Sequence, residues 1–307
     1  PAGHANLATR GWLSVWTGDG MSVGELCGTV ASFSKAWNIC NLCEDAHQQD
    51  KKKMQQPNFF LSCECADTTQ HDAGCKCFFT LRTPARDAAR AARGSTAKER
   101  QLLGITKPDE RHAFGGFPHF HRSLCGPKDS MHTLLEGRTR TLGARTLAMM
   151  KHSGWATQEQ LKHAVVCHQY KQAGEPMSST PGYLPASMFT MTKLFTTDRT
   201  GRGAPFIWAP HKDAKLPYSA HATLKYTIHS LELLRPFVPT QGPLPSWWFA
   251  WRYHVLVVTA SLKFSFTFAE LQNLETLIAA CHAAEYATPE YAKMWIPKVH
   301  WEAHLAH

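Results

Sequence analysis

The order of apolar and polar residues predicts one strand near the beginning of the chain. Residues 11–21, GWLSVWTGDGM, combine bulky and β-branched side chains and end in a Gly-Asp-Gly sequence. Side chains of this kind favour an extended strand, and the glycines favour a turn at its end. We therefore expect a strand that carries the carboxylate of Asp19 at its tip.

Helical spacing of apolar residues begins later, in a region that opens with Trp247, Trp248 and Trp251. Thr267 and Glu270 have the spacing of a capping box, which predicts that a helix begins there. The apolar residues that follow recur three and four positions apart, so we expect them to face the core. They are Leu271, Leu274, Leu277, Ile278 and Cys281.

Proline and glycine interrupt the pattern elsewhere. Residues 176–245 are rich in Pro, Gly, Ser and Thr, which predicts irregular structure with short helices. Thr83 and Pro84 predict a helix start, because Thr caps a helix and Pro suits its first position. The arginines that follow share one face of this predicted helix, which suits either DNA phosphates or plain solvent. They are Arg86, Arg90 and Arg93.

The charge of the chain suits a polyanionic partner. Its 307 residues include 33 Lys and Arg against 24 Asp and Glu, which gives a net charge of +9. Nucleic acid is such a partner, although many basic enzymes bind none. The hydrophobic content of 43% predicts a folded core. No apolar stretch approaches the roughly 20 residues of a membrane span, so we expect no membrane partner.

The cysteines indicate metal binding in a reducing compartment. Seven of the ten lie in the first quarter of the chain, six of them in Cys-x-x-Cys and Cys-x-Cys pairs that are typical of zinc sites. Cys40 and Cys43 form one pair, and His300 and His304 share one face of a helix. Together they would complete a tetrahedral zinc site, although spacing alone does not show that they share one ion. A denser cluster offers either a second zinc site or reduced thiols: Cys63, Cys65, His71, Cys75 and Cys77.

Three motifs follow one another along the chain. In the first, a strand ends in an acid and a Cys-x-x-Cys follows about twenty residues later. The second is an Asp-x-Met-His motif with a Leu-Glu-Gly turn, and the third is Pro-Lys-x-His-x-x-x-His. They consist of Asp19 with Cys40 and Cys43; Asp129, Met131, His132, Glu136 and Gly137; and Pro297, Lys298, His300 and His304. In type and order they resemble the motifs of CACTA (En/Spm) cut-and-paste DNA transposases, including the Plavaka-type branch.

The resemblance implies an α+β fold with a partial RNase H-like core, made of an N-terminal strand and a C-terminal edge. A large, mostly α-helical insertion interrupts that core. Residues 1–45 and 291–307 would then belong to the core, and residues 46–290 to the insertion. Such a protein binds transposon ends and target DNA in the nucleus, and self-association is compatible with this role.

The resemblance also implies a catalytic role for Asp19, as the second of three acids that bind two Mg²⁺ or Mn²⁺ ions. The first acid is expected before Pro1 and the third after His307. Glu136 and Glu302 are the nearest substitutes. The chain therefore looks like a piece of a DNA-cleaving and DNA-joining enzyme that is inactive alone. The alternative is a non-catalytic, zinc-stabilised DNA- or protein-binding remnant of a decayed or domesticated transposase.

Several motif residues have no role that the resemblance establishes. Asp129 suits a helix cap, and His132 is either a motif residue or a hydrogen-bonded core histidine. Met131 and Glu136 belong to the same motif with an open role. The arginines that follow are expected in a turn that faces DNA: Arg138, Arg140 and Arg145.

If the zinc site is structural, Cys40→Ser and His304→Ala should each lower both the bound zinc and the melting temperature. The reason is that the free energy of binding a structural zinc ion is also free energy of folding. Elemental analysis and thermal unfolding measure the two effects, with Cys167→Ser as the control. Full zinc content in both variants would remove these residues from the ligand set.

Overall fold

A computed structural model of the chain describes residues 92, 96–98, 131–161, 163–164, 215–216, 220–263, 265–291, 302 and 305. The helices described below belong to one of two compact units, the one that includes residues 130–307. The predicted strand and most of the segments 1–45 and 291–307 lie outside the described residues, so the RNase H-like core stays a prediction. Within the described part, every regular element is helical.

Four α-helices and a π-helical segment are the longer elements whose bounds the structure describes. The π-helical segment Met131–Thr139 continues directly into α1. The α-helices are α1 (Arg140–His152), α2 (Ala220–Leu234), α3 (Ser246–Ala260) and α4 (Phe268–Tyr286). Short 3₁₀ turns, Arg235–Phe237 and Pro289–Tyr291, follow α2 and α4.

Helix α1 is the central element, because every residue from Thr141 to Met150 is buried. Its Gly143 allows the neighbouring segments to come close. A Cβ atom at this position would lie 2.8 Å from Leu216 Cδ1 and 3.2 Å from the ring of Trp251. The main apolar core therefore forms where α1, α2 and α3 meet, and the predicted tryptophans lie in it. Trp247, Trp248 and Trp251 are all buried.

Helices α3 and α4 form an antiparallel hairpin. The Cys281 thiol of α4 donates to the Ala250 carbonyl of α3 at 3.4 Å. About two turns further along α3, Val257 shares an apolar cluster with Leu274 and Ile278 of α4. Residue numbers therefore rise along α3 while those of the adjacent α4 residues fall, so the two helices are antiparallel. The short loop between residues 260 and 268 joins them.

The capping box at the start of α4 is confirmed. The backbone N–H of Glu270 donates to the Thr267 hydroxyl at 3.3 Å, and the Thr267 N–H donates to the Glu270 carboxylate at 2.8 Å. Lys263 also pairs with this exposed carboxylate and, with the Thr267 bonds, lowers the pKa of Glu270 to about 2. The prediction that the apolar residues of α4 face the core is confirmed for Leu274, Ile278 and Cys281, which are buried.

The prediction of irregular structure over residues 176–245 is wrong for α2, which has 15 residues. Its buried stripe includes Thr223, Thr227 and Ser230 beside Tyr226 and Leu233. The Thr227 hydroxyl donates to the Thr223 carbonyl at 2.7 Å, so the helix itself satisfies a buried polar group. Because hydroxyl residues hold buried positions, the apolar periodicity of this helix is weak in the sequence.

We expect Gly143→Val to destabilise the protein by about 1–3 kcal/mol, the usual cost of overpacking a core. The new side chain would collide with Leu216 and with the fully buried indole ring of Trp251. Chemical denaturation measures the change. Ala283→Val, at an exposed position of α4, is the matched control and should cost less than about 1 kcal/mol. Equal effects at the two positions would contradict the tight contact at Gly143.

Candidate functional site

A fully buried arginine lies at the centre of the candidate site. Arg138 has no exposed surface, and its guanidinium bonds two carboxylates from distant parts of the chain. Its Nε donates to Glu302 Oε2 at 2.7 Å, and its Nη1 donates to Glu285 Oε2 at 3.2 Å. Its Nη2 also donates to Glu285. A charge-assisted fork of this kind is among the stronger hydrogen-bonded arrangements in proteins.

The surrounding helices supply the other members of this buried ionic cluster. Helix α4 contributes Cys281, His282 and Glu285, which lie on one face because positions 281 and 285 are four apart. Helix α3 contributes His254, and the π-helical segment contributes Thr139 next to Arg138. Where that segment continues into α1, the Thr141 hydroxyl donates to the Gly137 carbonyl at 3.1 Å, so a side-chain hydrogen bond spans the junction.

Three nitrogen-containing side chains surround the carboxylate of Glu302. Besides Arg138, His282 Nε2 lies 3.1 Å from its Oε2. His254 Nδ1 lies 3.0 Å from its Oε1, an ion-pair distance at which the N–H is not aligned for a hydrogen bond. Since a carboxylate only accepts, both rings must carry a proton on the nitrogen that faces it.

The charges of the cluster stabilise one another. Burial alone would raise the pKa of Glu302, but the guanidinium of Arg138 and the two neighbouring histidine rings hold that pKa well below its usual value. Burial likewise opposes the charge of Arg138, yet Glu285 and Glu302 raise its pKa. Burial and the same two carboxylates raise the pKa of Cys281 well above its usual value, so this residue remains a thiol.

Thr139, His254 and Glu302 form a hydroxyl–imidazole–carboxylate series. The Thr139 hydroxyl lies 2.8 Å from His254 Nε2, and the other ring nitrogen faces Glu302. This order is that of a hydrolase triad, in which the hydroxyl attacks the substrate. All three side chains are completely buried here, so no substrate can reach the hydroxyl. We therefore assign the series a structural role.

The prediction that Arg138 and Arg145 face DNA is wrong, and so is the predicted turn. Both residues are helical and buried, and Arg138 is occupied by its two carboxylates. Arg145 lies over the ring of Tyr291, with its Cζ atom 5.5 Å from the ring centre. Arg140 is half-buried, and its Nε donates to the Leu216 carbonyl at 2.7 Å. Phosphate binding would require exposed guanidinium groups, which Arg138 and Arg145 do not offer.

The other predicted residues are described only in part. Met131 is exposed and Glu136 is half-buried in the π-helical segment, which also includes His132. Glu302 is unavailable as a substitute catalytic acid, because its two oxygens face Arg138, His254 and His282. The remaining predicted site residues lie outside the described part: Asp19, Cys40, Cys43, Cys63, Cys65, His71, Cys75, Cys77, Arg86, Arg90, Arg93, Asp129, His300 and His304.

Sequence reasoning missed most of the cluster. Cys281 was placed in the core, yet the polar His282 and Glu285 beside it were not predicted to be buried. A histidine and a glutamate next to the apolar face of α4 are the sequence signal that could have indicated a buried polar site. Among the described residues, no group of three or more His, Cys, Asp or Glu side chains is arranged to hold a metal ion. None of the described helices is long and apolar enough to cross a membrane.

We expect Arg138→Met to lower the free energy of unfolding by about 3–5 kcal/mol, because it leaves two buried carboxylates without their cation. Denaturant unfolding at neutral pH measures the loss. The matched control is Arg252→Met on α3, since Arg252 is exposed and should cost less than about 0.5 kcal/mol. A loss below about 1 kcal/mol at Arg138 would contradict its role as the charge that holds the cluster together.

Comparison of the chain with protein-family models, with curated proteins and with solved structures gives no match. The function proposed below therefore rests on the sequence motifs and on the buried contacts that connect them.

Proposed function

We propose that the chain is part of a cut-and-paste DNA transposase of the CACTA type. The complete enzyme cleaves transposon ends and joins them to target DNA in the nucleus. Two bound Mg²⁺ or Mn²⁺ ions would supply the activation of the attacking water or 3′-hydroxyl and the stabilisation of the leaving oxygen. Asp19 would provide one carboxylate for these ions, and two further carboxylates would come from other segments of the complete protein.

The observation that carries this proposal is the contact between the segments that contain two of the three motifs. Arg138 directly follows the Asp-x-Met-His motif and its Glu-Gly turn, and Glu302 lies between the two histidines of the third motif. These residues are 164 positions apart, yet their side chains are 2.7 Å apart and buried. Motifs that act together in one enzyme are expected to meet in its fold, so this contact supports the resemblance.

An apolar contact between the same segments adds to this support. Leu134 of the second motif is buried in the smaller apolar cluster with Val257, Leu274 and Ile278. Leu305, the residue after His304, packs against the same cluster. The two motif segments therefore share both a polar and an apolar contact, and neither contact depends on the other.

The donor set of the proposed zinc site is Cys40, Cys43, His300 and His304. Two thiolates and two imidazoles suit tetrahedral Zn²⁺ in a structural site. Glu302, the acid between the two histidines, is not a competing ligand because Arg138 and two other histidines occupy its oxygens. If residues 300–304 form a helix, positions 300 and 304 would lie on the face opposite position 302, so the buried Glu302 would leave the histidine pair free for zinc.

The described helices fit the role of a rigid insertion rather than a DNA-reading surface. Helix α1 is buried on all sides, and the arginines at 138 and 145 belong to the interior. DNA contacts are therefore better sought on the predicted helix that carries Arg86, Arg90 and Arg93, with Arg140 as a partly exposed candidate. Their binding energy would come mainly from phosphate contacts and would fall steeply with salt.

We expect Asp19→Asn in the complete protein to reduce DNA strand cleavage by at least about a hundredfold, because an amide is a poorer ligand for divalent ions. Zinc content and melting temperature should not change. Cleavage of a labelled transposon end measures the activity, and Asp50→Asn is the control. Retained cleavage would remove Asp19 from the active site, and a complete protein without any cleavage would favour the non-catalytic remnant.

A further inference from the structure

One arginine at the start of α1 remains accessible, while its two neighbours in the same continuous helix are buried. Arg140 is half-buried, whereas Arg138 and Arg145 lie in the interior. We propose that Arg140 and the nearby Lys215 form a contact site for the phosphate backbone of DNA. This inference rests on the proposed function, which supplies DNA as the partner, and it names the residues of the helical unit that hold the DNA.

The Arg140 side chain is fixed to a neighbouring segment before any ligand binds. Its Nε donates to the Leu216 carbonyl at 2.7 Å, and the Leu216 N–H donates to the Arg140 carbonyl at 2.9 Å. Leu216 is itself completely buried and lies beside Gly143 of α1. The guanidinium group therefore has an anchor in the core, and ligand binding costs little further side-chain freedom.

The outer edge of this guanidinium group faces solvent. No group in the described part of the chain accepts from its Nη1 or Nη2, Glu136 one turn earlier included, and neither nitrogen is buried. Paired N–H groups of this kind match two oxygen atoms of a phosphate, which makes arginine a bidentate phosphate ligand. In Arg138 the corresponding groups both donate to Glu285. Arg140 therefore offers to an external anion the groups that Arg138 uses inside the protein.

Lys215 adds a second positive charge next to this edge. It is exposed and directly precedes Leu216, so its backbone lies beside Arg140. The first turns of α1 and α2 contain no acidic residue, and α2 begins at Ala220, shortly after Leu216. The beginning of a helix carries a partial positive charge, which also favours an anion. These groups therefore give the surface around Arg140 a positive character.

A polyanion suits this surface better than a small anion does. Charges that remain in contact with water attract a single small ion only weakly. Each DNA phosphate that a cationic side chain neutralises releases condensed counterions, so the same two residues gain more from DNA. The net charge of +9 favours the approach of DNA to the whole chain. The contact reads no bases, because every nucleotide carries the same phosphate.

The test measures binding to a short fluorescent DNA duplex of random sequence, by anisotropy at several salt concentrations. We expect Arg140→Gln and Lys215→Gln each to weaken binding about three- to tenfold, the usual effect of one solvent-exposed charged contact. Each should also reduce the slope of log affinity against log salt by about 1. Arg252→Gln is the matched control, because it removes the same charge from an exposed position on α3. Its affinity and salt slope should equal those of the wild type.

Arg140→Lys separates the fixed guanidinium group from its charge. Lysine keeps the positive charge, so the salt slope should stay near that of the wild type. It cannot bond the Leu216 carbonyl and a phosphate through separate edges of one planar group, so the affinity should still fall. Thermal unfolding by circular dichroism shows whether each variant folds. If the Arg140 variants do not fold, Lys215→Gln at its exposed position decides the test.

The outcomes separate this site from the proposed function. A wild-type chain that binds no DNA contradicts the DNA-binding role of the proposed function itself. A wild-type chain that binds DNA, with folded Arg140 and Lys215 variants that match Arg252→Gln, overturns the site and leaves that function standing. A selective loss at both positions supports both claims.

Two further results would also overturn the site. The first is a loss of affinity for only one of two duplexes with unrelated sequences, because it would indicate base reading. The second concerns inorganic phosphate, titrated by calorimetry without DNA. Phosphate binding that disappears in Arg140→Gln, while DNA binding stays unchanged, would assign the residue to a small anion instead.

Discussion

A guanidinium removed from water must keep its charge and needs partners for its donors, and Arg138 meets this requirement with two carboxylates. Each carboxylate comes from a different part of the chain, so the requirement decides which elements meet. Glu285 brings α4 against the π-helical segment, and Glu302 brings the third motif there as well. Removal of the arginine would leave two buried negative charges, which explains why so much of the local architecture depends on one side chain.

The surrounding core stabilises this arrangement through close packing and neutral hydrogen bonds. Helix α1 is buried from Thr141 to Met150, with Gly143 allowing Trp251 and Leu216 to approach. The Trp251 indole N–H donates to the Ser230 hydroxyl at 3.1 Å, so even the large aromatic residues have polar partners. Buried polar groups of this kind contribute less to stability than to a single, specific arrangement of the helices. In the proposed transposase, such rigidity would let a helical insertion hold distant motif segments in fixed positions relative to each other.

Local features of the sequence predicted local structure well. The Thr267–Glu270 capping box and the spacing of Leu274, Ile278 and Cys281 each depend on neighbours within one or two turns. Helix α2 was missed because Thr223, Thr227 and Ser230 occupy its buried stripe. Arg138 was misplaced because a row of arginines looks like a solvent-facing surface, and its partner Glu302 is 164 residues away. A pair so distant leaves no periodic trace in the chain, whereas the motif order did suggest that the two segments belong together.

The proposed zinc site is the central claim, since its four ligands would come from the first and the third motif. X-ray absorption at the zinc edge of the purified protein tests it most directly. The account predicts a first shell of two sulfur atoms at about 2.3 Å and two nitrogen atoms at about 2.0–2.1 Å, from Cys40, Cys43, His300 and His304. A shell of four sulfur atoms would point instead to Cys63, Cys65, Cys75 and Cys77, and would contradict the claim.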